Sequence, residues 1–437
     1  MVGQQKDTKA ILKKLGIEAL NPIQESAFDA ITSNSEVVLL SPTGTGKTLA
    51  FLLPIIAALD PDLKAAQVLI LVPSRELAIQ IEQVIREMGS GYKATAVYGG
   101  QSGYKDKIEL KHPPTLLVGT PGRVADHIRR GRIDTAHIKT LVLDEFDKSL
   151  EVGFTEEMKE IIASMSSVKK KVLTSATQKV EIPPFVGIRK ATRLNFLKES
   201  SSRLQLRSIV SPSKDKSETL VLLLKHIGRR NGIIFCNFKE SIHMVSEALD
   251  AHHIDHGCFY GGLEQIERER ALIKFRNGTY NLLVATDLAA RGIDVPEMDF
   301  IIHFQLPFSE EEFVHRNGRS ARMKSEGTAY ILHGEKETLP PFTKGVETIT
   351  LTSKKEDLSS EWQTLFISGG RRDKISKGDI AGLFFKQGKL TKTELGIIEL
   401  KQDCSFVSVH HSKTKQLIDL LNNTRLKKKK VRVSLLS

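Results

Sequence analysis

Long apolar runs are missing from this chain. No stretch of its 437 residues approaches the roughly twenty apolar residues that a membrane span requires. The opening MVGQQKDTKAILKK has no apolar core of the kind a secretory signal carries. Cysteine is scarce as well: Cys236, Cys258 and Cys404 stand far apart, without the spacing of a metal site or of a disulfide framework. A cytoplasmic protein of a reducing compartment, with no membrane partner, is expected. Negative charge is the third shortage, with 52 Asp and Glu against 64 Lys and Arg and a net charge of +12. The imbalance is local. Residues 371–437 hold sixteen Lys or Arg against six Asp or Glu, and so carry +10 of the +12. A basic block on a nearly neutral body points to a polyanionic partner, of which nucleic acid is the commonest.

What the chain does have begins with VVLLSPTGTGKTLAFLLPII, a buried-strand pattern that runs through a glycine-rich turn into an apolar helix. Gly44 and Gly46 let the backbone curl so that its N–H groups face a phosphate chain, and the following helix adds its positive dipole end. Lys47 would reach the outer phosphates, and the Thr48 hydroxyl would take one site on a magnesium ion. The usual leading glycine is Ser41 here. About a hundred residues on, LVLDEFDKS sets three carboxylates directly after an apolar run. Acidic clusters in that position are often only loop punctuation. Beside a phosphate loop they have work: Asp144 to hold magnesium through its waters, and Glu145 to orient the water that attacks the terminal phosphate.

The length allows two or three domains. Strand-like runs alternate with helical patterns from about 20 to 196 (VVLL, VLILV, TLLVGT, TLVLDE, KVLTSAT) and again from about 205 to 333 (GIIFCN, NLLVATD, FIIHF, GTAYILH), as parallel sheets wound with helices require. Polar, turn-rich segments fall between the two sets and again after the second. The expected division is 1–200, 201–340, a linker at 341–362 and a small domain at 363–437.

Taken in order, these motifs resemble those of the DEAD-box RNA helicases. NPIQ ending at Gln24 is similar to the Q motif, SPTGTGKT to motif I, PSRELA to Ia, TPGR to Ib, DEFD to II and SAT to III; IIFCN, ATDLAARGID and HRNGRSAR are similar to motifs IV, V and VI. The resemblance implies two tandem RecA-like α/β domains with parallel sheets, followed by a small RRM-like α+β domain of the DbpA type. It implies ATP and Mg2+ as ligands. Gln24, whose amide both donates and accepts, would select adenine, with Ser41, Pro42, Thr43, Gly44, Thr45, Gly46, Lys47 and Thr48 around the phosphates and Arg291 and Asp294 completing the nucleotide site. Thr48, Asp144 and Glu145 form the implied metal set. Arg319 and Arg322 would be the arginines that stabilise the transition state, joining Lys47, Asp144 and Glu145 as catalytic residues. Asp147, Ser175, Thr177 and His315 would couple the nucleotide to the domain interface.

RNA contact is implied for Pro73, Arg75, Gly100, Thr120, Gly122 and Arg123 in the first half, and for Gln265, Arg268 and Thr286 in the second. None of these is placed to read bases, so the core should bind backbone without sequence preference. Three departures from the family stand out. Phe146 replaces a small alanine and should pack behind the strand. In motif VI, Asn317 and Ser320 replace the customary isoleucine and threonine, and Ala321 stands where glycine is usual. The C-terminal block fits a β-α-β-β-α-β order, but SFVSVHH lacks the aromatic consensus for base stacking, so Phe406 is expected to pack inward. Arg371, Arg372, Lys374 and the Lys427 to Lys430 run are the expected RNA contacts there. The function implied is RNA-stimulated ATP hydrolysis that unwinds or remodels structured RNA, with ribosomal RNA in large-subunit assembly as the expected target and a monomer as the expected state. The alternative is a slowly hydrolysing, ATP-gated RNA clamp.

Overall fold

Short, largely apolar runs such as VVLL, VLIL, LLVG and GIIF form much of two parallel sheets. The computed structural model describes residues 7–42, 44–100, 103–151, 153–177, 181–197, 204–287, 298–320, 327–352 and 358–436. The chain divides into two units near residue 202. The first unit holds β1 (Glu36–Leu40), β2 (Val68–Leu71), β3 (Ala94–Val97), β4 (Leu116–Gly119), β5 (Thr140–Leu143), β6 (Lys170–Ser175) and β7 (Thr192–Asn195). They lie in the order β3-β4-β2-β5-β6-β1-β7, and every pairing is parallel. Alternate residues feed two cores. Val37, Leu39, Ile70 and Val118 pack on Phe51 and Leu52 of the helix Lys47–Ala57, while Val38, Leu71, Leu117 and Leu141 meet Val124, Phe146 and Ile161 on the other face. With both faces covered, a strand has no polar side to show, and this is why the runs are continuous rather than alternating. The loops after β1 and β5 open at the carboxyl ends of the strands, where ligands of such sheets bind.

In the second unit, β8 (Leu204–Ser211), β9 (Gly232–Phe235), β10 (His256–Phe259), β11 (Leu282–Ala285), β12 (Phe300–His303), β13 (Gly327–Gly334) and β14 (Glu347–Thr348) lie in the order β10-β11-β9-β12-β13-β8-β14. The two-residue β14 falls inside the stretch expected to be a linker. It pairs with β8, the Ile349 N–H donates to Ser208 O at 2.9 Å, and Ile349, Leu351 and Leu358 pack on the sheet's core. Those few apolar residues, set among polar ones, tie the segment down.

The C-terminal part of this unit is an antiparallel sheet, β16-β17-β15-β20, built from β15 (Trp362–Ile367), β16 (Leu395–Leu400), β17 (Ser405–His410) and β20 (Val433–Leu435), with a hairpin of β18 (Arg425–Leu426) and β19 (Lys429–Lys430). The helices Lys377–Lys386 and Thr414–Leu421 cover one face and complete the β-α-β-β-α-β order. Val407 and Val409 of β17 enter that core. Phe406 does not: it is buried, but on the opposite face, where Phe406 and Leu436, with Phe366 and Cys404, pack on Ile273 of the helix Gln265–Arg276. Period-2 alternation along β17 sends Phe406 away from its neighbours' core. The contact also has a polar rim. Arg276 grips Glu399 with Nε at 2.8 Å and Nη2 at 2.9 Å, Ser408 Oγ donates to Asn277 O at 2.7 Å, and the Thr279 and Thr364 hydroxyls lie 2.8 Å apart. The face on which RRM-like sheets stack bases is thus covered from within the chain. Among the described residues, no helix is long and apolar enough to cross a membrane.

Candidate functional site

The loop after β1 takes its shape from two glycines in the left-handed region, Gly44 at φ 82° and Gly46 at φ 85°. Gly46 immediately precedes the helix Lys47–Ala57, whose first-turn N–H groups have no partners within the helix. The Lys47 ammonium folds back onto the loop, donating to Ser41 O at 2.5 Å and Pro42 O at 3.2 Å, and Thr45 Oγ1 donates to Pro42 O at 2.9 Å. Ser41 Oγ and Thr45 Oγ1 are 2.5 Å apart. Gln24 is joined to the same loop. Its Oε1 accepts from the Asn21 N–H at 3.1 Å in a capping box, and its Nε2 donates to Gly46 O at 3.5 Å, while Asn21 Nδ2 donates to Thr45 O. A Cβ at residue 46 would lie 2.6 Å from Gln24 Nε2, at the movable end of that side chain, so it is the φ of 85° that favours glycine here.

Across from the loop, β5 and β6 end side by side. Asp144 is buried, and that burial, with Glu145 beside it, pushes its carboxyl up to about 6. Glu145 follows in the left-handed region at φ 49°, which side-chain-bearing residues seldom adopt. Asp147 is buried too, and burial above all raises its carboxyl. Hydroxyls at the end of the next strand meet this cluster. The Thr174 hydroxyl donates to Asp144 Oδ1 and accepts from the Glu145 N–H at 3.2 Å. Thr177 Oγ1 donates to Asp147 Oδ2 at 3.2 Å, and the Ser175 hydroxyl holds Thr177 in place, accepting from its N–H at 2.9 Å and lying 3.1 Å from its carbonyl oxygen. Phe146 packs behind the strand among Val124, Met158 and Ile161, so the enlarged side chain lies away from the carboxylates.

The expected RNA contacts of the first unit fall into two groups. Arg75 lies on the Gly99–Gly100 turn, where Gly100 at φ 83° leaves the space its guanidinium occupies. Pro73 is buried just before it. Thr120 caps the helix Pro121–Arg129, and Gly122 there faces Phe154. Arg123, one residue on, is held by Asp106, with Nε at 2.8 Å and Nη2 at 2.7 Å from Oδ2. His127 Nε2 is 2.9 Å from the same oxygen. Burial pushes Asp106 up, but the hydrogen bonds from His127 and Arg123 hold it below the usual carboxylate range.

In the second unit, Arg268 lies over the Phe259 ring at 4.8 Å, and the Thr286 N–H donates to Phe259 O, so both gather at the end of β10. Gln265 Nε2 donates to Glu269 at 3.2 Å on the same helix. Arg319 is buried at the end of the helix Glu310–Asn317, which also carries His315. Thr43, Arg291, Asp294, Ala321 and Arg322 lie outside the described residues.

Three family profiles cover the chain in order: DEAD/DEAH box helicase at residues 21–183, helicase conserved C-terminal domain at 215–324 and DbpA RNA binding domain at 364–435. The chain is 30% identical to the ATP-dependent RNA helicase DbpA of Bacillus subtilis (strain 168), across 98% of this chain and 97% of that protein. It is also 30% identical to the protein of that name from Escherichia coli K12, across 97% and 96%. The chain belongs to the DEAD-box family of ATP-dependent RNA helicases. Among solved structures it is similar to S. cerevisiae Dbp5 bound to RNA and ADP BeF3, with a TM-score of 0.67 and 26% identity over 76% of this chain and 88% of that one.

Several residues that organise this DEAD-box chain were not legible as such. Arg316, fully buried, binds Asp287 through Nε at 2.7 Å and through Nη2, donates to Gln305 O at 2.6 Å and Asn237 Oδ1 at 2.7 Å, and lies over Phe235. One arginine thus fastens together the ends of β9, β11 and β12. The signal available was a third arginine in HRNGRSAR beside the aspartate of ATD. Asn317 accounts for its own departure from the family, since its Oδ1 lies 2.9 Å from Nε2 of the buried His303. Thr174 and Asp106 carried no signal at all.

Proposed function

We propose that this RNA helicase hydrolyses ATP between the phosphate loop and the carboxylate cluster of its first unit. The observation that carries the reading is the charge of Lys47 acting on two buried carboxylates, Asp144 and Asp147, with Glu145 beside Asp144, so that acidic groups gather where the phosphate loop's lysine lies. A divalent cation fits that acidic cluster. Among the described residues, no group of three or more His, Cys, Asp or Glu side chains could hold such an ion unaided, so phosphate oxygens would complete its shell. Asp144, Glu145 and Thr48 are the residues that would hold Mg2+, which when bound neutralises phosphate charge. Lys47 leaves the loop carbonyls for the outer phosphates. Glu145 orients the attacking water, and Gln24 takes the adenine edge. Arg319, with Arg322, supplies charge to the terminal phosphate in the transition state, an effect on the order of a thousandfold or more.

RNA backbone is held at Arg75 with Gly100, at Arg123 with Thr120 and Gly122, and at Gln265, Arg268 and Thr286. The C-terminal block, matched by the DbpA profile, brings structured RNA through Arg371, Arg372, Lys374 and the Lys427 to Lys430 run. In this proposal the target is ribosomal RNA of the large subunit, and the protein acts in the cytoplasm as a monomer. Phosphate release with saturating ribosomal or random RNA, alongside crosslinking and sequencing of bound RNA in cells, tests both halves. An ATPase indifferent to RNA, or crosslinks spread evenly over cellular RNA, would overturn the corresponding half.

A further inference from the structure

Thr174 lies just ahead of the SAT sequence. Its side chain is fully buried, and its hydroxyl has two partners, both in the carboxylate motif. Register explains the meeting: Leu143 of β5 pairs with Leu173 of β6, so Asp144 and Thr174 leave the ladder side by side. A hydroxyl has one proton to give and two lone pairs to receive. Here the proton goes to Asp144 Oδ1, which leaves Oδ2 for the metal's water. A lone pair takes the Glu145 N–H and so holds Glu145 in its left-handed turn, at φ 49°. Of the next two hydroxyls, that of Thr177 donates to Asp147 Oδ2 and that of Ser175 holds the Thr177 backbone.

We infer that Thr174 is a positioning residue for magnesium–nucleotide binding, so that the working strand end is the four-residue TSAT, in which hydroxyls hold the Asp144 and Asp147 carboxylates and the Glu145 backbone. The inference rests on the reading of Asp144 and Glu145 proposed above. Groups that orient metal-binding carboxylates typically govern metal affinity by about 10- to 100-fold.

The test is binding of a fluorescent ADP to the full chain, with magnesium and with excess EDTA, together with RNA-stimulated phosphate release. Thr174→Val keeps the shape and removes the hydroxyl. Its magnesium-dependent gain in ADP affinity should fall by about 10-fold or more, with binding in EDTA unchanged, kcat reduced and the RNA concentration for half-activation unchanged. Thr174→Ser should restore all four values. A Val variant with the full magnesium gain and full turnover, or a Ser variant as impaired as Val, would overturn the inference. If circular dichroism shows the Val variant unfolded, Thr174→Ala and Thr174→Ser decide by the same criteria: Ala must lose the gain and Ser keep it. A wild-type protein whose ADP affinity ignores magnesium would instead overturn the reading of Asp144 itself.

Discussion

Arg123 and Asp106 form an ion pair in which two guanidinium nitrogens, Nε and Nη2, meet one carboxylate oxygen at 2.8 and 2.7 Å, while the buried His127 reaches the same oxygen. The aspartate is buried, and removing it takes away the partner that orients the arginine, whose other carboxylate neighbour, Asp126, lies 3.8 Å away. Asp106→Ala should destabilise the first unit by about 3 kcal/mol, as breaking a buried pair does, and should weaken RNA binding because Arg123 loses its aim. Arg123→Ala should weaken RNA binding and make the dependence of log affinity on log salt shallower by about one at most. Thermal melts and RNA titrations across salt check both. An Arg123→Ala variant with the wild-type slope would remove that residue from the phosphate contacts.

In the proposed mechanism, Lys47 and Glu145 divide the nucleotide chemistry. Lys47→Ala should abolish ATP binding. Glu145→Gln should keep binding, lose hydrolysis by at least about a hundredfold, and stay locked on RNA in the presence of ATP. Filter binding with labelled ATP, phosphate release and RNA dissociation rates separate the two. Normal turnover in Glu145→Gln would sink the assignment of the water-orienting role.

Most of the nucleotide half was legible in the sequence because its physics is local. A strand, two glycines at positive φ and a lysine opening a helix specify a phosphate loop within ten residues, and DEFD after an apolar strand sets Asp144 on a rim. What stayed hidden depends on which strands become neighbours. Thr174 meets Asp144 only because β5 pairs with β6, and Asp106 meets Arg123 only through the packing of helices 17 residues apart. Phe406 was expected inward because SFVSVHH lacks the base-stacking consensus, and nothing in that local pattern tells that a second apolar surface, at Ile273, waits on the other face. Asn317 looked like a loose departure until His303 was found beside it.

His303 makes the second unit acid-sensitive. Burial above all, then the nearby Arg316 charge, lowers its imidazole from 6.5 to about 3, against a weaker opposing hydrogen bond to Asn317. Its folded pKa lies below its unfolded one, so the unfolded chain binds the extra proton. Stability from this group is therefore full above about pH 6.5 and is lost progressively as pH falls toward 3. His303→Gln should lessen that fall. Urea melts at stepped pH, compared with wild type, read it out; identical slopes between pH 6.5 and 4 would rule out His303 as the source.

The docking of the C-terminal block on Ile273 and Arg276 bears on how it is tested. Deleting residues 363–437 would bare an apolar surface, so targeting is better probed in the full chain by removing charge. The structure sorts the cations. Lys427 pairs with Asp379 and Lys429 with Asp373, each at 2.7 Å, and these pairs fasten the β18–β19 hairpin to the rest of the block. Lys428, Lys430, Arg371 and Lys374 are exposed, with no carboxylate partner among the described residues. Ala substitution of those four together should leave folding and the ATPase at saturating single-stranded RNA unchanged, since none lies in motifs I to VI. Affinity for structured RNA should fall. Each phosphate that is no longer neutralised makes the slope of log affinity against log salt shallower by about 0.7 to 0.9, so the four together flatten it by about 3 if all touch phosphate. Lys427→Ala with Lys429→Ala should instead lower the melting temperature of the block and change the slope less. The experiment is RNA binding against salt for both sets, with activation by ribosomal and random RNA alongside. A fourfold variant with the wild-type slope and unchanged preference for ribosomal RNA would show that this basic surface is solvated charge, and RNA recognition by the block would have to be sought elsewhere.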